Sequence, residues 1–158
     1  MQRQRNNLAD PTVQQLVDYL VATQSEHRKP ISHLDKSVDK LVREVSASLR
    51  KAAVLIPVTR SEPNQASQII LTVRSDNLTS HPGQISLPGG TREEHDDNDI
   101  ETALRESEEE IGLKPENVEV LGQLGDIALP SGFCVTPVVG LVEPGLTLTP
   151  CPIEVADI

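Results

Sequence analysis

Three glutamates in the middle of the chain have the residue type and the spacing for metal chemistry. Glu106, Glu109 and Glu110 stand at positions i, i+3 and i+4, so in a helix their carboxylates share an arc of about 100°. Carboxylates at this spacing repel one another and destabilise an isolated helix. A folded protein that holds them together usually needs a compensating cation, and oxygen ligands favour Mg²⁺ or Mn²⁺. The alternative is a solvated acidic helix face.

The acidity of the chain is concentrated around these glutamates. The sequence has 158 residues and a formal charge of -10, with 24 acidic and 14 basic residues. Residues 91–113 contain ten acids and two bases, which leaves fourteen acids and twelve bases, a net charge of -2, for the rest of the chain. Such a chain is not expected to bind nucleic acid, because phosphate binding requires a basic surface.

Two further features could complete a site for a phosphorylated substrate. Pro88-Gly89-Gly90 predicts a tight turn directly upstream of the acidic segment, and its main chain can approach a metal or a phosphate closely because glycine has no Cβ. Arg74 is a candidate phosphate clamp. Arg105, adjacent to Glu106, is expected to orient a carboxylate through an ion pair.

The segment from Gly90 to Leu113 resembles the signature of the Nudix hydrolases. The family pattern is G-x5-E-x7-R-E-U-x-E-E-x-G-U with U aliphatic, and residues 105–113, Arg-Glu-Ser-Glu-Glu-Glu-Ile-Gly-Leu, match its second half. Ser107 replaces an aliphatic residue. The first half is one residue longer than the pattern, which puts Asp97 where the early glutamate would fall.

Residues 52–157 also resemble one subgroup of that family, the coenzyme A pyrophosphatases. The subgroup signature is L-L-T-x-R-[SA]-x3-R-x3-G-x3-F-P-G-G. Here it is found as residues 70–75, Ile-Leu-Thr-Val-Arg-Ser, followed by Gly83 and by residues 87–90, Leu-Pro-Gly-Gly, and residues 131–140 are similar as well. Thr79 replaces the second arginine of the signature and Leu87 replaces its phenylalanine.

The resemblance implies metal-dependent hydrolysis of a diphosphate linkage, with coenzyme A giving 3',5'-ADP and 4'-phosphopantetheine. Glu106 and Glu110 would be the main ligands of Mg²⁺ or Mn²⁺. Glu109 would be a further ligand or the base that activates water, and the Gly90 carbonyl an additional ligand. Two alternatives stay open: a Nudix hydrolase for another nucleoside diphosphate derivative, and a non-catalytic Nudix-like binding module.

The residues before the glycine turn are the candidates for substrate binding. With Arg74, Gly89 and Gly90, the set contains Ser75, His81, Gly83 and Gln84. His81 is open to two interpretations, a general base or a residue that anchors its loop by hydrogen bonds. The expected ligand is a small nucleotide of the coenzyme A type.

The glutamates are predicted to lie on a helix from Asp99 to Ile111. Asn98, with Glu101 three positions on, makes a start that resembles a capping box, and Gly112 supplies the C-terminal stop. Five residues share the face that would pack on a sheet, namely Ile100, Ala103, Leu104, Ser107 and Ile111. Glu101 and Glu108 are expected to face solvent.

Strands are predicted on either side of this helix. Apolar runs at 52–58 and 68–73 indicate a β-hairpin, residues 79–90 a loop, and residues 118–121 and 135–142 two further strands. Residues 153–157 resemble the start of an element rather than its end, so the C-terminal end of the domain is open to being truncated. Cys134 and Cys151 have neither disulfide-framework nor zinc-site spacing.

The first fifty residues are predicted to form a helical extension, with helices at 11–23, capped by Asp10, and at 31–49. They would pack on the domain or on a second subunit, which makes a homodimer one option. The predicted domains are therefore 1–50 and 51–158, the latter a Nudix-like α/β/α sandwich with a mixed β-sheet. No apolar run approaches the ~18 residues of a membrane span, and we expect a cytoplasmic protein.

Overall fold

The fold is described from a computed structural model in which residues 11–23, 44, 48–61 and 66–158 are placed. The elements of these ranges are two helices, α1 (Pro11–Thr23) and α2 (Asp99–Ile111), a 3-10 turn at Pro115–Asn117, and the eight strands β1 (Arg50–Thr59), β2 (Thr72–Arg74), β3 (Ile85–Ser86), β4 (Gly89–Thr91), β5 (Val118–Gln123), β6 (Ile127–Ala128), β7 (Phe133–Val142) and β8 (Val155–Asp157).

The central sheet is mixed, as predicted. Its strands lie in the order β4-β1-β7-β5, and β6 also pairs with β7. The two long strands β1 and β7 are parallel over ten residue pairs, whereas β4 is antiparallel to β1 and β5 is antiparallel to β7. The predicted strands at 52–58, 118–121 and 135–142 are confirmed within β1, β5 and β7.

Helices cover both faces of this sheet. On one face, Ala103 and Ile111 of α2 pack with Leu55 of β1 and Val138 of β7 in a fully buried cluster. On the other face α1 is packed, and the cluster there joins residues of α1 with residues of β1, β5 and β7, namely Val13, Val17, Leu20, Val58, Leu121, Val139 and Leu141. Side chains alternate between faces along a strand, so the apolar run of β1 serves both clusters. This arrangement is the predicted α/β/α sandwich.

A smaller antiparallel sheet corrects the predicted hairpin. Residues 68–73 do not form a second strand along β1, because only one isolated bridge, Val58 to Ile69, joins them. From Thr72 the chain leaves β1 and forms β2, which pairs with β3 and β8. The apolar run therefore ends in a different sheet, a change that depends on partners distant in sequence. Residues 79–90, predicted as loop, contain β3 and the start of β4.

Helix α2 begins and ends at the predicted residues. The Asn98 side chain accepts hydrogen bonds from the backbone N–H groups of Ile100 and Glu101, and Gly112 ends the helix with a left-handed φ of 68°. The Glu101 carboxylate accepts from the backbone N–H of Asp97 at 2.9 Å, one residue before the partner that a capping box would use. The cap thus ties the preceding loop to the first turn.

The N-terminal half of the predicted extension is placed only in part. The predicted helix at 11–23 is confirmed as α1, while its proposed cap, Asp10, and nearly all of the helix predicted at 31–49 lie outside the described residues. The boundary at residue 50 stays a prediction. Across the described ranges, no helix has the length and apolar character that crossing a membrane requires.

Candidate metal centre

The glycine turn and helix α2 bring two of the predicted carboxylates together. The backbone N–H of Gly89 donates to Oε2 of Glu110 at 3.0 Å. At Gly90, an added Cβ would lie 2.5 Å from Oε2 of Glu106, so only glycine allows that carboxylate to approach the main chain. The turn is held in place because β4 pairs with β1, on which α2 packs. The sequence-based grouping of Gly89, Gly90, Glu106 and Glu110 is therefore seen in the structure.

Glu110 is the more deeply buried of these carboxylates. The residue is 5% exposed, and burial raises its pKa to about 7. The hydrogen bond from Gly89 opposes this rise, while the negative charges of Glu106 and Glu154 add to it. A buried carboxylate with a single backbone donor carries charge that is poorly compensated.

At Glu106, too, some surrounding groups raise the pKa and others lower it. Burial raises its pKa, the charge and hydrogen bond of Arg105 lower it, and the negative charges of Glu109 and Glu154 raise it again. Both carboxylates are thus short of positive charge in the protein alone.

Arg105 orients carboxylates, as the sequence predicts. Its Nη2 lies 3.0 Å from Oε1 of Glu106, and its Nη1 lies 3.2 Å from Oε2 of Glu109. The Glu109 side chain is 60% exposed and turned toward this arginine, whereas Glu110 is buried against Gly89. Glu109 therefore sits at the rim of the cluster, and its assignment as ligand or base stays a prediction.

The strongest partner of Arg105 is a residue that the sequence did not single out. Nε and Nη2 of Arg105 lie 3.0 Å from the two carboxylate oxygens of Asp96. Asp97, the residue expected to be the early acid, is exposed. Its backbone carbonyl accepts a hydrogen bond from Nη2 of Arg92 at 2.7 Å. Counting back from Arg105 along the pattern reaches Asp97, whereas counting forward from Gly90 reaches Asp96.

A second residue absent from the prediction, Glu154, comes from the far end of the chain. The backbone N–H of Cys151 donates to the Glu110 carbonyl at 2.8 Å, and the Ser75 N–H donates to the Glu154 carbonyl at 2.8 Å. These bonds join the segment before β8 to the end of α2 and to the end of β2. The charge of Glu154 then raises the pKa of both Glu106 and Glu110. Nothing in its local sequence marks this glutamate.

Arg74 lies at the edge of the cluster. Its positive charge lowers the pKa of Glu110, and its buried Nε has no hydrogen-bond partner among the residues that the structure describes. Ser75 is 4% exposed, and its Oγ accepts from the backbone N–H of Asn77 at 3.3 Å. Arg74 therefore has an unpartnered donor beside the cluster, and its role as a phosphate clamp stays a prediction, while Ser75 shapes the turn that follows.

The remaining predicted substrate residues lie in the exposed loop between β2 and β3. The N–H of Arg74 donates to the Gln84 carbonyl at 2.9 Å, and the N–H of Gly83 donates to the Arg74 carbonyl at 3.0 Å. His81 is exposed and has a positive φ of 55°. These bonds close the loop directly at Arg74. Within the described part of the chain, no hydrogen bond or ion pair joins His81, Gly83 or Gln84 to the glutamates, and the roles of these three residues stay predictions.

The donor set fits a hard divalent cation that keeps part of its water shell. No cluster of three or more His, Cys, Asp or Glu side chains suited to hold a metal is found within the described ranges. Mg²⁺ is commonly held by one or two carboxylates together with substrate phosphates. Glu106 and Glu110, both short of positive charge, meet that requirement.

The fold is an α/β/α sandwich, and its site combines a helix that carries carboxylates with a glycine turn. Comparison with known proteins identifies the family. The sequence model of the NUDIX domain matches residues 49–147, so the chain belongs to the Nudix family. A relative from Photorhabdus laumondii subsp. laumondii, named Uncharacterized Nudix hydrolase NudL, is 44% identical over 117 residues, which cover 73% of this chain and 60% of the relative.

Two further comparisons agree with this assignment. A protein of the same name from Yersinia enterocolitica is 50% identical over 103 residues, 65% of this chain and 51% of the relative. The crystal structure of a Nudix hydrolase from M. Smegmatis, RenU, superposes with a TM-score of 0.54 at 25% identity and covers 64% of this chain and 63% of that one. The chain thus spans roughly half to three fifths of the length of these two curated relatives.

Proposed function

We propose that this chain hydrolyses a diphosphate linkage in a nucleoside diphosphate derivative with the help of Mg²⁺ or Mn²⁺. The observation that supports the proposal most is the pair Glu106 and Glu110, drawn together at the Gly89-Gly90 turn with too little positive charge around them. Structural carboxylates are normally paired with cationic side chains or exposed to water. Glu106 has a single contact with Arg105, and Glu110 has no ion pair within the described part of the chain, so a bound cation would supply the positive charge that this pair lacks.

Glu106 and Glu110 would hold the metal, and the Gly90 carbonyl is an additional candidate. When bound, such an ion offsets negative charge on diphosphate oxygens and lowers the pKa of water. The overall reaction adds one water across the P–O–P linkage and gives two phosphate monoesters. Glu109, at the rim, would serve either as a ligand or as the base that takes the proton from water.

Arg74 and Arg105 have separate tasks in this proposal. Arg105 is fully engaged with carboxylates and with the Thr91 carbonyl, so it orients ligands and does not contact substrate. Arg74 has a buried Nε without a partner within the described part of the chain. A guanidinium in that state suits a phosphate oxygen.

For the substrate we propose coenzyme A or a derivative of it, cleaved to 3',5'-ADP and 4'-phosphopantetheine. The support is the resemblance of residues 70–90 to the coenzyme A subgroup, together with the position of Arg74. That arginine adjoins the glutamate pair and also closes the β2–β3 loop through its bonds with Gln84 and Gly83. Arg74 therefore links the β2–β3 loop, which carries part of the resemblance, to the glutamate pair.

The test is product analysis of the purified chain with Mg²⁺ or Mn²⁺ and a panel of coenzyme A, ADP-ribose and an oxidised nucleoside triphosphate. We expect coenzyme A to be turned over best. Glu106→Gln and Glu110→Gln should each lower kcat/KM by more than about 100-fold, beyond the effect of residues that only support a ligand. The matched control Glu108→Gln, on the exposed side of α2, should stay within about 2-fold of the original chain.

Two results would contradict the proposal at different levels. Faster turnover of ADP-ribose than of coenzyme A would assign the chain to another Nudix substrate. Absence of hydrolysis with metal present, and no change in any property on Glu110→Gln, would favour the non-catalytic binding module.

A further inference from the structure

The face of the central sheet that α1 covers is partly open beside the glycine turn. The buried cluster beneath α1 takes up Val58 of β1 and Leu141 of β7, near the later ends of these strands. Val54 of β1, and Phe133 and Val135 of β7, share this face because they lie an even number of residues away. These three residues are half-buried, and they belong to neither of the two buried clusters.

The neighbouring strands extend this partly open surface in both directions. On one side Val54 pairs with Gly89 of the glycine turn. On the other side Ile127 of β6 pairs with Val135, and the backbone N–H of Leu129 donates to the Phe133 carbonyl at 2.8 Å. Ile127 and Leu129 are both exposed. We call the surface of Val54, Phe133, Val135, Ile127 and Leu129 the open face, and apolar walls of this kind are typical of small-molecule sites.

A cation stands at the end of the open face that is distant from the glycine turn. The guanidinium carbon of Arg50 lies 4.1 Å from the centroid of the Phe133 ring, and the two residues are partners in the register of β1 and β7. Arg50 is exposed, and within the described ranges no acid forms an ion pair with it. Stacking on a ring occupies a face of the guanidinium and leaves its N–H donors, which lie in its plane, able to bind an anion.

The other cations near the site are engaged or lie elsewhere. Lys51 follows Arg50 in β1, so its side chain is on the opposite face of the sheet, where Nζ donates to Sγ of Cys134 at 3.5 Å. Arg74 adjoins Glu110. Three further arginines of the described ranges form ion pairs with acids, namely Arg60, Arg92 and Arg105. Among these cations, only Arg50 combines a place at the open face with the lack of an acidic partner.

The distance from the glycine turn to Arg50 suits a nucleoside. Arg50 precedes Val54, the partner of Gly89, by four residues, which is about 13 Å along the strand at ~3.3 Å per residue. A nucleotide whose diphosphate lies at the turn covers this distance with its ribose and base. The long arginine side chain can then reach back toward the ribose.

We propose that the open face binds the adenosine part of the substrate and that Arg50 binds the phosphate on its ribose 3'-oxygen. The inference rests on the proposed function, since it requires the diphosphate to lie at Glu106 and Glu110. A guanidinium binds a phosphate through two parallel N–H donors, and the Phe133 ring holds its plane. The site would thus distinguish coenzyme A from 3'-dephospho-coenzyme A, which lacks this phosphate.

The experiment compares kcat/KM for coenzyme A and for 3'-dephospho-coenzyme A with Mn²⁺ present. We expect the original chain to prefer coenzyme A, and Arg50→Gln to lower the ratio of the two kcat/KM values by at least about 10-fold, because a hydrogen-bonded charge pair is lost. Lys51→Gln removes the same charge one residue away on the opposite face and should change the ratio by less than about 3-fold. The ratio is insensitive to a general loss of active protein.

Calorimetric titration with 3',5'-ADP and with 5'-AMP, in the presence of Mn²⁺, tests the inference without hydrolysis. The original chain should bind 3',5'-ADP more tightly, and Arg50→Gln alone should lose this preference. Equal affinity of the original chain for both nucleotides, or equal shifts in Arg50→Gln and Lys51→Gln, would overturn the inference.

Failure of the inference and failure of the proposed function give different results. If coenzyme A is hydrolysed and Arg50→Gln leaves the ratio unchanged, the proposed function stands and Arg50 is not the phosphate ligand. If no diphosphate is hydrolysed but Arg50→Gln alone loses the preference for 3',5'-ADP, the nucleotide site stands and the proposed hydrolysis fails.

Discussion

At the scale of single residues, burial and ionisation are opposed at Glu110. The carboxylate lies in the interior beside another acid, and one backbone N–H is its hydrogen-bond donor. Burying an ionised group without a partner costs free energy. A bound divalent cation would make the burial of the ionised carboxylates favourable, because it supplies the missing positive charge to both of them.

The pKa of Glu110 predicts how stability depends on pH in the metal-free chain. Burial raises this pKa from 4.5 to about 7, so between these values the folded chain keeps a proton that the unfolded chain has lost. The free energy of unfolding should therefore fall as pH rises through this window and stay low above it. At about 1.4 kcal/mol per pKa unit, the fall amounts to a few kcal/mol. Urea denaturation with a chelator present, at pH 5 and pH 8, measures the difference.

Glu110→Gln should flatten this dependence, and Glu108→Gln should keep it. Because burial also raises the pKa of Glu106, a smaller slope of the same sign remains in Glu110→Gln. An undiminished slope in Glu110→Gln would mean that the dependence arises elsewhere. Added Mg²⁺ should reduce the loss at pH 8 by binding only the folded, ionised form.

Gly90 gives a steric prediction at the same scale. A Cβ at this position would meet the Glu106 carboxylate at 2.5 Å, so Gly90→Ala must displace that side chain. We expect the metal concentration for half-maximal activity to rise by about 10- to 100-fold, as for changes that disturb a ligand's support. Thr91→Ala, at the exposed neighbouring residue, is the control, and equal effects of the two substitutions would contradict the steric explanation.

At the scale of elements, local chemistry made α2 predictable and distant pairing made β2 unpredictable. Asn98 and Gly112 determine the two ends of α2 through bonds to residues within one turn, and this information is present in a short stretch of sequence. The apolar run at 68–73 carries no sign that Thr72 pairs with Ser86 in a second sheet. Likewise, Asp96 and Asp97 are neighbouring acids of the same type, and the fold pairs Asp96 with Arg105.

The N-cap of α2 can be tested without touching the site. Asn98→Ala removes the acceptor for two backbone N–H groups and should lower the free energy of unfolding by about 1 kcal/mol. Because Glu106 and Glu110 lie two or more turns away, kcat should stay within about 2-fold. Chemical denaturation and steady-state rates measure both, with Asn117→Ala, at an exposed position, as the control. A large loss of kcat would show that the cap also positions the carboxylates.

At the scale of the whole molecule, the two helical layers have different tasks on one sheet. Helix α2 carries the carboxylates and packs on one face, while α1 covers the opposite face through Val13, Val17 and Leu20. The family match begins at residue 49, so α1 lies outside the segment that the family shares. Its packing nevertheless closes a face of β1 and β7 that would otherwise expose apolar side chains to water.

Leu20, 1% exposed, is the residue on which this role of α1 can be measured. Leu20→Ala should lower the free energy of unfolding by about 2–5 kcal/mol, the usual cost of removing a buried leucine side chain. Its activity at low temperature should remain, because the sheet separates Leu20 from Glu106 and Glu110. Gln15→Ala, exposed on the same helix, should change stability by less than about 0.5 kcal/mol. Equal stability of Leu20→Ala and Gln15→Ala would mean that residues 11–23 do not fold with the sheet, and that 1–50 is an independent extension.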